Sequence, residues 1–283
     1  MIKIEMKKAL GNIMFIATLI VATAVAVYSA AYVIVTVYNY AVENDALSES
    51  IFGDTTNPDH AMITLFNQWM GQEWNSMGQS LFYLLLPFFG SLAYSWSLLS
   101  ERKSGYIKHI VTRTLRRKYY TAKYIAVFVA GGLVVLIPLI INFMVVSAFI
   151  PATTPDIFYD IYYDMGPTKA LSQLFFSHPY VFVLYRMISA FIFAGLFASL
   201  GMSFSFFIKN RFVIVALPFL ISMLLNYIDS SGYFKYLISP SLFLHNGGAA
   251  LPTSAWLMLA EILIMFALSF GITVVKGKKD DVF

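Results

Sequence analysis

Six long apolar stretches, separated by short polar or charged segments, set the pattern of this chain. They cover residues 9–42, 74–100, 124–155, 170–208, 212–228 and 255–275. Only Arg186 in the fourth stretch and Glu261 in the sixth interrupt them with a charged side chain. A helix needs roughly 20 apolar residues to cross a bilayer, whereas strands in globular proteins are far shorter. The pattern therefore predicts an all-α integral membrane protein with six transmembrane helices.

The first apolar stretch follows Lys3, Lys7 and Lys8, as the apolar core of a cleavable signal sequence would. Its length is about twice the 7–15 residues that are usual in such a core. We therefore expect a retained membrane helix rather than a cleaved signal.

Composition supports the membrane assignment and removes several kinds of chemistry. The chain is 59% hydrophobic and only 12% charged, whereas soluble domains carry about 25% charged residues. It has no Cys, which excludes disulfides, thiolate nucleophiles and Cys-ligated metals. It also lacks the phosphate-binding loop of ATPases and the motifs of zinc and serine proteases, so no ATPase, catalytic or metal site is predicted.

Positive charges crowd the segments on one side of the predicted helices. All but three of the 19 Lys and Arg residues lie in the N-terminal segment, the 101–123 connection, the 209–211 turn or the C-terminal tail. The exceptions are Lys169, Lys235 and the intramembrane Arg186. Most of the 15 acidic residues lie in the opposite loops. The positive-inside rule then predicts that both termini are cytoplasmic.

The remaining segments are assigned by their polarity. Residues 1–10 alternate apolar and charged positions and are predicted to form a helix at the cytoplasmic membrane surface, with a frayed tail as the alternative. Residues 41–79 and 151–178 are predicted to be extracellular loops, with a short amphipathic helix on the outer surface at 62–77. Residues 229–252 combine Gly and Pro with apolar runs, so we expect two short helices that re-enter the membrane.

The connection 101–123 is strongly basic. Its apolar residues recur at helical spacing and are Ile107, Ile110, Val111 and Leu115. Its basic residues on the other faces include Lys108, Arg113, Arg116 and Arg117. Gly105 separates this pattern from the second apolar stretch. A short helix across the membrane base is therefore predicted, and a basic loop that contacts anionic lipid is the alternative.

Arg186 and Glu261 are the two charged residues within the predicted spans, both in the outer half. An unpaired charge at such a depth costs several kcal/mol, so charges within a membrane are usually paired. We hypothesise that Arg186 and Glu261 form an ion pair. The alternative is that each side chain reaches the outer interface separately.

Two sequence elements carry a resemblance to a known family. Residues 100–105 read Ser-Glu-Arg-Lys-Ser-Gly, a basic pair follows at 116–117, and Lys123 enters the third apolar stretch. Between the fifth and sixth stretches, Ser239-Pro240 follows two apolar residues. Together with the six spans, these elements resemble the permease subunits of type-2 ABC exporters, in the bacterial branch that exports peptides, drugs and bacteriocins. The family's proline-containing turn before the basic pair is replaced here by Thr-Arg-Thr at 112–114.

The resemblance implies a single permease domain over residues 1–283 that works with other chains. A cytoplasmic ABC ATPase in two copies would bind the helix near 105–111 and would carry ATP and Mg, so this chain would hold no cofactor. A second permease chain, identical or similar, would complete the transport path in the plasma membrane of a bacterium. The implied re-entrant element is Ser239 and Pro240. The implied coupling residues are Glu101, Gly105, Tyr106, Ile107, Lys108, His109, Ile110, Arg113, Arg116 and Arg117.

The function that the resemblance favours is ATP-driven export of an amphipathic or hydrophobic substrate, such as a peptide, bacteriocin, toxin or drug. One alternative is an ATP-independent secondary transporter or channel. Another is a membrane scaffold or sensor that transports nothing. No nucleic-acid partner is expected for any of them.

Overall fold

The computed structural model describes residues 1–39, 42–43, 63–74, 76–245 and 251–279. These residues form helices, turns and irregular segments, with no β-strand among them. In chain order the α-helices are α1 (Ile2–Leu10), α2 (Ile13–Tyr32), α3 (Leu65–Gln68), α4 (Met77–Tyr94), α5 (Ser97–Lys103), α6 (Tyr106–Val111), α7 (Arg116–Ser147), α8 (Asp160–Tyr163), α9 (Ser172–Ser177), α10 (Pro179–Phe204), α11 (Arg211–Ser230), α12 (Pro240–Leu244) and α13 (Ala255–Lys279). A π-helical segment, Val33–Tyr38, continues α2.

Six helical segments within the described ranges are long and apolar enough to cross a membrane. They are called spans 1 to 6 and comprise Ile13–Val37, Met77–Lys103, Arg116–Ser147, Pro179–Phe204, Arg211–Ser230 and Ala255–Gly277. The prediction of an all-helical chain with six such spans is therefore confirmed. The end of the bundle that carries α1, α6 and the turn between spans 4 and 5 is called the basic end, and the opposite end is called the outer end. The cytoplasmic position of the basic end stays a prediction.

Three spans begin at a residue whose side chain caps the helix. Asn12 at span 1, Ser76 at span 2 and Asn210 at span 5 each accept a hydrogen bond from a backbone N–H two or three residues later. Such bonds satisfy donors that the first turn of a helix otherwise leaves unpaired. The start of each of these spans is therefore set by a local contact.

Spans 2, 3 and 4 pack closely in the centre of the bundle. A methyl group on Gly90 of span 2 would lie 2.5 Å from the carbonyl oxygen of Ala194, and one on Gly131 of span 3 would lie 2.4 Å from the Cβ of Ala198. Only glycine at these two positions lets the backbones approach so closely. Most of spans 5 and 6, by contrast, is not buried within this chain.

The segment before span 2 does not form the surface helix predicted at 62–77. Its only described helix is the four-residue α3, and all four residues are buried. Asn142 of span 3 accepts a hydrogen bond from the backbone N–H of Met70 at 2.8 Å and donates to a carbonyl of span 1 at 2.8 Å. This buried amide holds the segment against the bundle, so the prediction of a surface helix is wrong. Residues 44–62 of the predicted loop lie outside the described residues.

The structure agrees in part with the predictions for two other segments, residues 1–10 and 229–252. A helix forms over the predicted N-terminal segment as α1, while its location at a membrane surface stays a prediction. The described part of 229–252 contains one short helix, α12, because the stretch 233–238 is irregular. Residues 246–250 lie outside the described residues, and re-entry into the membrane stays a prediction.

Candidate functional site

Gly105 separates span 2 from α6. Its φ of +73° lies in the left-handed region, and a Cβ at this position would meet no atom within 4 Å. Glycine is therefore favoured here by backbone conformation and not by lack of space. After it, α6 runs from Tyr106 to Val111 and span 3 begins at Arg116. The short helix predicted from the sequence is present at this position.

One face of α6 is anchored on the bundle and the other is exposed. Ile107 is 1% exposed, and Ile110 and Val111 are half-buried against the same core. Lys108 and His109 are exposed. A helix with an anchored apolar face and an exposed basic face is suited to contact a second protein without leaving its own bundle.

The ten residues assigned to coupling differ in their accessibility. Ile107 is buried. The half-buried ones are Glu101, Gly105, Tyr106, Ile110 and Arg116. The exposed ones are Lys108, His109, Arg113 and Arg117. A partner could therefore reach four of the ten directly.

A ring of four charged side chains lies behind α6. Glu101 of span 2 pairs with Lys8 of α1 at 2.9 Å and with Lys123 of span 3 at 3.0 Å. Glu5 of α1 pairs with the same two lysines at 3.0 and 3.1 Å. The Tyr119 hydroxyl donates a further hydrogen bond to Glu101. Acids and bases alternate around this ionic ring, which joins α1, span 2 and span 3.

The charges of the ionic ring balance one another. The side chains of Glu5 and Lys123 have no exposed surface, and a lone charge so deeply buried would cost several kcal/mol. Each charge in the ring instead has two opposite charges beside it. Partial burial lowers the pKa of Lys8, but hydrogen bonds to Tyr106 and to the two carboxylates outweigh this effect and raise its pKa above the ordinary value. Lys8 therefore keeps its charge at physiological pH.

Lys8 also connects the ionic ring to α6. Its Nζ lies 4.0 Å from the centre of the Tyr106 ring, a distance typical of a cation–π contact. Glu101 and Tyr106 are among the coupling residues that the family resemblance implies, whereas the sequence gives no such role to Glu5 or Lys8. The available signal was the position of Glu5, which is the only acidic residue before residue 43 and lies among lysines.

At the outer end, Arg186 of span 4 binds backbone carbonyls and not a carboxylate. Its Nε and Nη2 donate to the carbonyl of Gly71 at 3.0 and 2.6 Å, and its Nη1 donates to the carbonyl of Phe243 at 2.9 Å. Nη2 also donates to the carbonyl of Leu244. Arg186 and Glu261 do not form an ion pair with each other, so the prediction of an intramembrane ion pair is wrong. The last carbonyls of a helix have no intrahelical donor, and α12 presents two of them to the guanidinium.

The set of Arg186 contacts, called here the Arg186 clamp, joins span 4, the turn before span 2 and the end of α12. Burial and the positive charge of Arg186 lower the pKa of the adjacent His245 to about 4. The imidazole is therefore neutral at physiological pH. Its Nε2 lies 3.1 Å from the hydroxyl of Ser80, which adds a contact between α12 and span 2.

The Ser239-Pro240 element begins α12 and is bound to span 5. The carboxylate of Asp229 accepts hydrogen bonds from the backbone N–H groups of Ile238 at 3.1 Å and of Ser239 at 2.6 Å. The side-chain oxygen of Asn226 accepts from the hydroxyl groups of Ser239 and Ser241. The proline occupies the first position of the helix, where its missing N–H costs nothing. The element is thus fixed by one carboxylate and one amide of span 5.

Replacing Asp229 with alanine is expected to loosen the Ser239-Pro240 element. Because the carboxylate is the acceptor for two backbone N–H groups, the amides of Ile238 and Ser239 should exchange with deuterium at least about tenfold faster. Hydrogen–deuterium exchange of the detergent-purified protein, read by mass spectrometry, measures this. Asp160→Ala removes an acid from α8 and should leave the exchange of both amides unchanged. Identical exchange in the two variants would show that Asp229 does not hold the element.

The ionic ring and the Arg186 clamp lie at opposite ends of span 2, one built on charge pairing and the other on the capping of backbone carbonyls. Within the described residues, no group of three His, Asp or Glu side chains is placed to hold a metal ion.

No protein-family model, curated protein or solved structure matches this chain.

Proposed function

We propose that this chain is the transmembrane subunit of an ATP-driven exporter and that α6 receives the movement of a separate ATPase. The observation that carries the proposal is the connection of α6 to the ionic ring through Lys8 and Tyr106. A basic loop that only touched lipid headgroups would need no link to buried charges between the spans. A helix that transmits force would need one.

The contacts suggest how a displacement of α6 would spread. Ile107 anchors α6 on the bundle, while Lys8 ties Tyr106 to Glu101 at the end of span 2. Glu101 in turn pairs with Lys123 in the second turn of span 3. A push on the exposed face of α6 would therefore shift the ends of spans 2 and 3 together with α1.

The proposal requires partners, because the sequence contains no phosphate-binding loop. Two copies of a cytoplasmic ABC ATPase would supply ATP and Mg, and a second permease chain, identical or similar, would complete the path. The complex would lie in the plasma membrane of a bacterium with the basic end in the cytoplasm. The apolar, aromatic-rich spans favour an amphipathic or hydrophobic cargo, such as a peptide, toxin or drug, over a large sugar.

Reversing charge on the exposed face is expected to uncouple the complex. Arg113→Glu combined with Arg117→Glu should reduce ATPase recovery on affinity purification and ATP-dependent transport by at least about tenfold, because charge repulsion replaces attraction across the contact. Both arginines are exposed, so the unfolding midpoint should not change. A photo-crosslinking amino acid at His109 should capture a protein that carries a phosphate-binding loop.

The matched control is Lys3→Glu combined with Lys7→Glu, which makes the same charge change on exposed positions of α1. It should retain the ATPase. Equal loss in the two double variants would indicate a general effect of surface charge. Transport that persists without any ATPase would replace the exporter proposal with a secondary transporter, and absence of both would favour a scaffold or sensor.

A further inference from the structure

A second feature of the basic end is a cavity of about 430 Å³ between the α5–α6 corner and the turn that joins spans 4 and 5. Two contacts cross it. Arg102 donates a hydrogen bond to the carbonyl of Ser205 at 2.9 Å, and Lys103 donates to the carbonyl of Lys209 at 2.8 Å. The two hydrogen bonds therefore hold the two walls of the cavity together, although the walls are more than 100 residues apart in sequence.

The lining of this cavity is strongly positive. It includes Arg102, Lys103, Lys108 and Lys209, and the ten described residues that line it include no acid. Lys103, Lys108 and Lys209 form no ion pair with any described residue. The ammonium of Lys103 has three N–H donors, of which the carbonyl contact uses one. Clustered like charges repel each other, and a bound anion would relieve that repulsion.

Two other features of the lining point to the chemistry of the anion. Leu99, Phe206 and Phe207 add apolar surface beside the cations, and Phe207 is 58% exposed. Ser205 is 2% exposed, yet its hydroxyl has no hydrogen-bond partner among the described residues. A buried hydroxyl without a partner costs free energy, and a phosphate oxygen is an acceptor that would satisfy it.

We propose that this cavity binds the headgroup of an anionic phospholipid from the leaflet at the basic end. Basic pockets between membrane helices are suited to such headgroups. A free phosphate ion would satisfy the cations equally but would leave the exposed ring of Phe207 facing water, whereas the glycerol and acyl chains of a lipid would cover it. The bound lipid would connect span 2 with the turn between spans 4 and 5. This inference goes beyond the exporter proposal and does not depend on an ATPase.

Removing two cavity lysines, as Lys103→Gln with Lys209→Gln, is expected to weaken phosphatidylglycerol binding at least about tenfold. Each basic side chain beside an anionic headgroup raises affinity about fivefold. Native mass spectrometry of the full-length protein in detergent, titrated with phosphatidylglycerol or with phosphatidylcholine, gives both dissociation constants. The unmodified protein should prefer phosphatidylglycerol, and the double variant should lose that preference. Ser205→Ala should also weaken phosphatidylglycerol binding without lowering the unfolding midpoint, because it removes a buried hydroxyl that has no partner among the described residues.

The control is Lys7→Gln with Lys118→Gln, which removes two exposed charges from the basic end outside the cavity. It should bind phosphatidylglycerol like the unmodified protein. An equal loss of phosphatidylglycerol affinity in both double variants would overturn the site, because it would show that the affinity depends on the total positive charge of the basic end. Displacement of the lipid by millimolar inorganic phosphate would overturn the lipid assignment. Cavity variants that keep lipid affinity but release the ATPase would also overturn it, and would assign the cavity to that protein contact.

Discussion

Replacing Lys123 with methionine is expected to lower the free energy of unfolding by about 3–5 kcal/mol. Methionine keeps most of the apolar stem but removes the charge that pairs with both Glu5 and Glu101. Lys8 then remains as the only member of the ionic ring that can balance the buried carboxylate of Glu5 and the half-buried carboxylate of Glu101. Denaturant titration of the purified protein in mixed micelles measures the change.

Lys118→Met is the matched control, because Lys118 is exposed on the same helix and its loss should change stability by less than about 0.5 kcal/mol. A Lys123→Met variant as stable as this control would contradict the ionic ring. Glu5→Gln combined with Lys123→Met removes one acid and one base, which leaves the Lys8–Glu101 pair intact. It should recover part of the lost stability, with a coupling of about 1–3 kcal/mol between the two sites.

The same double variant separates a structural role from a coupling role. It restores charge balance but removes the ion pair that joins α1 to span 3. Under the exporter proposal, the purified complex should still bind ATPase and hydrolyse ATP while transporting less substrate for each ATP consumed. Full transport in a stable double variant would show that the ionic ring supports the fold alone.

The spans were predictable because each is decided by its own residues. A run of about 20 apolar side chains favours the membrane over water whatever the rest of the chain does. Gly105 and Asn210 likewise set the start of a helix through the residues directly after them. The short helix α6 was predictable for the same reason, from its apolar spacing and the glycine before it.

The ionic ring was not predictable in this way. In sequence, Glu5 stands among lysines and reads as part of a solvated face, yet its side chain is fully buried. Its partner Lys123 lies 118 residues away, so the pairing depends on how α1 packs against spans 2 and 3. The residues next to Glu5 and Lys123 in the sequence do not indicate that packing.

The Arg186 prediction failed for a related reason. The sequence indicated that a charge within a span needs a partner, which is correct, but it offered only charged residues as candidates. The partners are carbonyl groups of Gly71, Phe243 and Leu244. Every residue has a carbonyl group, but only carbonyls without a backbone hydrogen bond can accept one from the guanidinium. Their positions depend on where irregular backbone and short helix ends pack against a span, which the sequence pattern does not reveal.

Replacing Arg186 with methionine is accordingly expected to destabilise the protein by at least about 3 kcal/mol, because three buried carbonyls lose donors that carry a full charge. Amide exchange should locate the damage. Protection should fall both in the turn around Gly71 and in the last turn of α12, because one guanidinium binds both. Arg186→Lys keeps the charge, but an ammonium cannot reproduce the planar donor arrangement that reaches all three carbonyls, so it should be intermediate.

Glu261→Gln distinguishes this clamp from the ion pair that the sequence suggested. If the guanidinium is held by carbonyls, neutralising Glu261 leaves every contact of Arg186 in place and should cost less than about 1 kcal/mol. An ion pair would instead make the two single variants similarly destabilising, and exchanging the two charges would restore stability. Either of those results would contradict the clamp. Because α12 also carries the Ser239-Pro240 element, failure of the clamp should leave that element attached to span 5 through Asp229 and Asn226 and to span 2 through His245 and Ser80.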